Sequence, residues 1–82
     1  MKYTLKELRA RKNKTQEEVA KDLHVTTATY NNWENNPGII KLSNAIKISN
    51  YFGVGIEEIK FNWNKIIWIN NYQTVIQASD QQ

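Results

Sequence analysis

The chain has 82 residues, enough for one small domain whose hydrophobic core gives a modest stability margin. It contains no cysteine, so disulfides and thiolate metal sites are excluded and a reducing cytoplasm is the expected compartment. The formal net charge is +3, and we see neither a secretory leader nor an apolar run of membrane-spanning length, so we expect a soluble protein without membrane contact.

Basic residues are concentrated at the start of the chain. Six of the eleven lysines and arginines lie within the first fourteen residues, which contain one acid, Glu7. Such a cluster can bind phosphate with an affinity that falls as salt rises, although a solvated surface is the alternative. We expect Lys12 and Lys14, near the end of a first helix over about 5–12, to contact phosphate.

Two helix-start signals follow this first helix. Thr15, with Glu18 three residues later, forms a capping-box pattern and predicts a second helix over 16–23. Thr26 offers another N-cap and predicts a third helix over 27–35. Two helices that cross on so tight a turn present the second one to the major groove of DNA.

The third helix has distinct inward and outward faces. Tyr30 and Trp33 recur at helical spacing and predict its buried face. The outward face then carries small and amide side chains, which are Thr27, Ala28, Asn31 and Asn32.

The next part of the chain contains one long helix and one short one. Turn residues predict a loop over 35–38, and the apolar spacing predicts a fourth helix over 42–52. Gly53 fits the position after a helix end that needs a positive φ, and a short fifth helix is predicted over 56–59. The apolar stripe of the fourth helix consists of Leu42, Ala45, Ile46, Ile48 and Phe52.

Residues 5–59 resemble the Cro/C1-type (XRE-like) helix-turn-helix family of phage repressors and small bacterial regulators. Five segments match in order and with family-like spacing: Leu5, Leu8 and Arg9; 15–20; Val25, Thr26 and 33–35; Ile46, Ile48 and 52–54; and 56–59. The resemblance implies an all-α, five-helix lambda-repressor-like DNA-binding domain over residues 1–60. Residues 61–82 would then be a C-terminal extension.

The resemblance also implies DNA contacts, residue by residue. Thr27, Ala28 and Asn32 match positions at which relatives touch bases. Asparagine can pair with adenine, and methyl groups can contact thymine, so an A·T-leaning half-site is expected. Gln16, at the start of the second helix, is expected to join a phosphate to the recognition helix; a plain exposed glutamine is the alternative. The other expected phosphate contacts are Thr26, Asn31, Asn35 and Lys41, in addition to Lys12 and Lys14.

Four further residues have expected structural roles. Arg9 and Glu34 match a family ion pair that joins the first helix to the end of the third and sets the angle of the recognition helix. His24 occupies a turn position where relatives often have glycine, so we expect a positive φ there and no role as a ligand or base. Tyr30 replaces an aliphatic residue; we expect its ring in the core and its hydroxyl at an edge, where it could contact phosphate.

The extension is too apolar to be left uncovered on a small monomer. Two β-prone runs, 65–69 and 72–76, surround an Asn-Asn turn and predict a β-hairpin; a continuous helix over 63–76 is the alternative. Two half-sites require two recognition helices, so we expect a homodimer. Its interface candidates, which would alternatively close this subunit's own core, are Ile56, Ile59, Phe61 and Trp63.

The residue inventory argues against catalysis. The chain has one histidine, no glycine-rich phosphate loop and no metal-ligand spacing, so we expect no enzyme activity, metal, cofactor or small-molecule ligand. We predict a cytoplasmic, sequence-specific regulator of transcription that binds double-stranded DNA, as a dimeric repressor on a palindromic operator. The alternative is a protein-interaction or antitoxin-like module with the apolar extension as its partner surface.

Overall fold

Four short α-helices and two single-turn 3-10 helices make up the computed structural model, which describes residues 2–63. The α-helices are α1 (Leu5–Lys12), α2 (Gln16–Asp22), α3 (Thr27–Asn35) and α4 (Leu42–Phe52). The 3-10 helices are Pro37–Ile39, between α3 and α4, and Ile56–Glu58, after α4. The all-α prediction is confirmed, and the predicted bounds of α1, α3 and α4 agree with the structure. The conformations predicted for the C-terminal extension fall outside the described residues.

Threonine N-caps begin the first three helices. Thr15 Oγ1 accepts from the backbone N–H of Glu18 at 3.1 Å, and the Glu18 carboxylate accepts from the N–H of Thr15 at 2.8 Å. Thr4 and Glu7 make the same pair of bonds at the start of α1. Thr26 Oγ1 accepts from the backbone N–H three residues later, at 3.1 Å. These bonds satisfy donors that a helix start leaves unpaired, which explains why the two predicted caps fixed where α2 and α3 begin.

Left-handed backbone conformations lie at three chain reversals and at Asn62, near the end of the described residues. Asn13 ends α1 with φ 57°, His24 lies in the turn between α2 and α3 with φ 61°, and Gly53 ends α4 with φ 71°. The predicted positive φ at His24 and the predicted role of Gly53 are therefore confirmed. His24 adopts a conformation that costs an ordinary residue free energy.

Two predicted helices are shorter in the structure. α2 ends at Asp22, because Leu23 has already left the helical region with φ −90° and ψ 0°. The fifth predicted helix is only the 3-10 turn Ile56–Glu58, because Ile59 has extended backbone and forms an isolated parallel bridge with Tyr3. The N–H of Tyr3 donates to the carbonyl of Glu58 at 2.7 Å, so this end of the chain is tied to the first residues instead of coiling further.

One hydrophobic core joins all four α-helices and both ends of the described chain. Its buried members are Leu5, Leu8, Val19, Ala20, Tyr30, Trp33, Ile40, Ala45, Ile48, Ile59 and Phe61. The predicted stripe on α4 is only partly correct, because Leu42 is 49% exposed and Ile46 is 45% exposed. Both lie at the solvent edge of the face that Ala45 and Ile48 bury, while Ile40 fills the core ahead of the helix. Among residues 2–63, no helix has the length and apolar character needed to cross a bilayer.

The predicted dimer interface needs correction at two of its four residues. Ile59 and Phe61 are each only 2% exposed, so they close the core of their own subunit and leave almost no surface for a partner. Ile56 and Trp63 are partly buried and pack against the same core. Trp63 stacks on Phe61 with ring centroids 4.7 Å apart, and its indole Nε1–H donates to the carbonyl of Ile40 at 2.8 Å. Sequence alone could not separate the two roles, because each demands apolar side chains.

Candidate nucleic-acid interface

The outward face of α3 is presented to solvent by two buried aromatic rings on its other side. Tyr30 is fully buried and Trp33 is 7% exposed, and their rings meet edge to face at 6.3 Å. On the opposite face of α3, every residue that was predicted to contact DNA is exposed. These residues are Thr27, Ala28, Asn31, Asn32 and Asn35. Thr29, in the first turn, is also exposed and was not singled out from the sequence.

A chain of hydrogen bonds joins the start of α2 to the outward face of α3. Asn31 Nδ2 donates to Gln16 Oε1 at 3.0 Å, and Asn35 Nδ2 donates to Asn31 Oδ1 at 3.2 Å. Gln16 Nε2 in turn donates to Glu34 Oε1 at 2.9 Å. We call these three amides, Gln16, Asn31 and Asn35, the amide chain. These hydrogen bonds hold the three amides in position. Each amide nitrogen still carries a second N–H, which can donate to a phosphate.

Glu34, which accepts from Gln16 at one end of the amide chain, forms an ion pair that joins α3 to α1. Arg9 Nε donates to Glu34 Oε2 at 2.6 Å, and Arg9 also donates to the carbonyl of Lys14 at 3.0 Å. The Glu34 side chain is 5% exposed and that of Arg9 is 18% exposed. Burial acts to raise the pKa of Glu34, but hydrogen bonds from Arg9 and Gln16 outweigh it, so that pKa lies below its ordinary value. The hydrogen bond to Glu34 raises the pKa of Arg9, and both groups stay charged at neutral pH.

The hydroxyl of Tyr30 lies inside the subunit, which contradicts the expectation that it reaches an edge. Tyr30 is fully buried, and its oxygen has no hydrogen-bond partner of good geometry among the described residues. Burial, followed by the nearby Glu34 carboxylate, raises the pKa of this hydroxyl far above its ordinary value. A phosphate contact from Tyr30 is therefore ruled out by its position.

Lys12 and Lys14 are not brought to the amide chain. The Lys14 ammonium lies 2.6 Å from Asp22 Oδ2, and the hydroxyl of Tyr51 donates to the same oxygen at 2.6 Å. The Lys12 ammonium lies 4.9 Å from the centre of the Tyr51 ring. Asp22 ends α2 whereas Gln16 begins it, so the carboxylate that Lys14 contacts and the first residue of the amide chain lie at opposite ends of this helix. The phosphate contacts expected of both lysines stay predictions.

The Lys14–Asp22 pair shifts both groups towards their charged forms. The hydrogen bond to Asp22 raises the pKa of Lys14, and the hydrogen bond from Lys14 lowers the pKa of Asp22. Both side chains are about one third exposed, so water and salt screen the attraction. Asp22 and Tyr51 were missed in the sequence because they lie 29 residues apart and meet only in the fold.

Two other predicted phosphate-binding residues lie at helix starts. Thr26 caps α3, and its hydroxyl also donates to Thr29 Oγ1 at 2.9 Å, so its donor is already engaged. Lys41 precedes α4 and is exposed. Lys41 therefore lies at the surface between α3 and α4.

An open cleft of about 510 Å³ lies between the α2–α3 turn and α4. Its apolar lining comes from Leu23, Val25, Trp33 and Ile48, with polar groups around them. This cleft could not be predicted from the sequence, because its walls come from separate helices. No cluster of three or more metal-binding side chains occurs within the described part of the chain.

These features define a helix-turn-helix domain: two capped helices joined by a tight turn, with the second presenting an exposed polar face. The helix-turn-helix family model matches residues 5–59, which is more than half of the chain. The chain therefore belongs to this family, in its Cro/C1-type (XRE) branch, and the resemblance found in the sequence is confirmed. Its members are DNA-binding regulators and are generally not enzymes. No curated protein and no solved structure was found to match the chain.

Proposed function

We propose that this protein is a dimeric repressor that recognises a palindromic operator in the cytoplasm through the outward face of α3. The observation that carries the proposal is the amide chain, because it joins the N-terminus of α2 to α3 and fixes three amide groups beside the exposed face. Such a surface combines groups that position a protein on DNA with groups that read bases.

Base recognition is assigned to Thr27, Ala28 and Asn32. All three are exposed, and no side-chain hydrogen bond within residues 2–63 engages the Asn32 amide. An asparagine amide can accept from and donate to adenine at once, and the methyl groups of threonine and alanine fit the thymine methyl. The proposed half-site therefore favours A·T pairs.

Phosphate binding is assigned to the amide chain and to Lys41. We leave Lys12 and Lys14 out of the proposed footprint, because their ammonium groups contact Tyr51 and Asp22.

Repression follows from the size and symmetry of the proposed complex. A single α3 reads only a few base pairs, and two copies related by a two-fold axis would read an inverted repeat. Occupation of such a site is sufficient to exclude other proteins from it.

The test is selection of bound sequences from a pool of random duplexes at near-physiological salt. The proposal predicts an inverted repeat with half-site centres about 10–10.5 base pairs, or a multiple of that, apart. A single unrepeated half-site would remove the dimer and keep DNA recognition. No enrichment by a folded sample would refute the proposed function.

A further inference from the structure

The hydrogen bonds of the amide chain all run in one direction, towards the Glu34 carboxylate. Gln16 Nε2 donates to Glu34 Oε1 at 2.9 Å. Asn31 Nδ2 donates to Gln16 Oε1 at 3.0 Å, and Asn35 Nδ2 donates to Asn31 Oδ1 at 3.2 Å. Each amide therefore turns its nitrogen towards Glu34 and its oxygen away from it.

This direction follows from the charge on Glu34. Arg9 donates to both oxygens of the carboxylate, at 2.6 Å and 3.3 Å, and an ionised carboxylate can only accept hydrogen bonds. Gln16 must therefore turn its nitrogen towards Glu34, which leaves its oxygen facing Asn31. Asn31 must in turn present its nitrogen to that oxygen, and the same reasoning then orients Asn35.

We propose that Glu34 is a positioning residue for DNA binding, because its charge sets the direction of the amide chain and thereby turns the amide nitrogens to where they bind phosphate. This inference rests on the proposed function, and it differs from the expected role of the ion pair in setting the angle of α3. A phosphate without a proton accepts hydrogen bonds and donates none. An amide turned the other way would present its oxygen where the phosphate needs a donor.

The variant Glu34→Gln should reverse the amide chain. Glutamine has nearly the same shape as glutamate, but it has one oxygen and one NH₂ group in place of two equivalent oxygens. Arg9 has no acceptor, so its closer contact, at 2.6 Å, would take the single oxygen. The NH₂ group would then face Gln16, which would have to turn its oxygen towards it. Asn31 and Asn35 would turn in succession.

The first experiment follows the side-chain NH₂ groups of the amide chain by NMR in the full-length protein without DNA. Glu34→Gln should shift the resonances of all three groups and leave the backbone resonances of residues 27–29, at the start of α3, in place. The matched control is Glu17→Gln, which makes the same chemical change at an exposed position and should leave Asn31 and Asn35 unchanged.

Two results of this experiment would overturn the inference. Unmoved resonances of Asn31 and Asn35 in Glu34→Gln would show that the charge does not act along the amide chain. Backbone shifts at residues 27–29 as large as those of the side-chain amides would show that α3 itself had moved.

The second experiment measures affinity for a random duplex by fluorescence anisotropy. Glu34→Gln should weaken binding by roughly 2- to 10-fold, the equivalent of about one hydrogen bond. In a Gln16→Ala background the same change should cause no further loss, because Glu34 acts through Gln16. Arg9→Lys weakens the ion pair but keeps an acceptor opposite Gln16, so its affinity should fall less than that of Glu34→Gln.

An equal further loss in the Gln16→Ala background, or an equal loss in Arg9→Lys, would overturn the inference. Failure of the wild type to bind any duplex would instead refute the proposed function, and the NMR experiment would still decide whether Glu34 sets the direction of the amide chain.

A measurement on the wild type does not depend on the folding of Glu34→Gln. Lowering the pH protonates Glu34, whereas Arg9 and Tyr30, which face the same carboxylate, both have raised pKa values and do not titrate in acid. The three NH₂ resonances should then move with one common midpoint while the circular dichroism stays native. Separate midpoints, or movement only on unfolding, would overturn the inference.

Discussion

Removal of the Glu34 carboxylate should destabilise the protein, because Glu34 holds α1, α2 and α3 together. Its carboxylate accepts from Arg9 at 2.6 Å and from Gln16 at 2.9 Å, and its side chain is 5% exposed. Glu34→Ala would leave the Arg9 guanidinium, which is 18% exposed, without its anionic partner. Loss of one partner from such a pair lowers the free energy of unfolding by about 1–3 kcal/mol. This is less than the loss expected for a fully buried pair, because water can still reach Arg9.

The assay is thermal unfolding followed by circular dichroism. For a domain of this size, about 1 kcal/mol corresponds to a shift of roughly 4–8 °C, so the melting temperature should fall by at least several degrees. Glu17→Ala, at an exposed position on α2, is the matched control and should change little. The double variant Arg9→Ala with Glu34→Ala should be less destabilised than the sum of the single variants, because the two residues interact directly.

The pH dependence of the difference in stability between wild type and Glu34→Ala gives a second check. The folded-state pKa of Glu34 is lowered, so its contribution is present above the ordinary glutamate pKa and is lost as pH falls through the folded-state value. The gap in stability between wild type and Glu34→Ala should therefore be full at neutral pH and should shrink under acid conditions. An unchanged melting temperature at pH 7, or a gap that does not shrink in acid, would refute this account of the ion pair.

Three other variants test separate parts of the structure. Lys41→Ala should reduce the slope of log DNA affinity against log salt concentration by about one phosphate contact, whereas Lys14→Ala should leave that slope unchanged. Titrations at several salt concentrations measure both slopes, and equal slopes for the two variants would contradict the assignment. Gln16→Ala should weaken selected and random duplexes to a similar degree, because phosphate contacts do not read sequence; a loss confined to the selected duplex would contradict this. Gly53→Ala should lower the free energy of unfolding by about 1–2 kcal/mol because of the φ of 71° alone, since nothing lies within 4 Å of the added methyl. An unchanged midpoint of urea unfolding would contradict this prediction.

Local signals in the sequence predicted the helix-turn-helix well, because the determinants of its ends lie within four residues of each other. Thr15 with Glu18, and Thr26, marked helix starts that the structure has at the same places. The outward face of α3 followed from the spacing of Tyr30 and Trp33, which are both buried. These features needed no knowledge of the rest of the chain.

Features that depend on distant contacts were harder to predict. The direction of the Lys14 side chain is set by Asp22 and Tyr51, which its position in a basic stretch could not reveal. The burial of Phe61 and the exposure of Leu42 have a similar origin. Both are apolar, and only the packed arrangement of α4 against the chain ends decides which one faces water.

The claim that α3 reads bases is tested most directly by repeating the duplex selection with Asn32→Ala. The account predicts that the enriched sequence keeps its spacing and loses its preference at one position in each half-site, at a cost of about 1–3 kcal/mol on the best site only. The control variant Ser43→Gln should return the wild-type sequence. If Asn32→Ala selects the wild-type sequence unchanged, or weakens random and selected DNA equally, Asn32 is not a base reader and the assignment of the α3 face is contradicted.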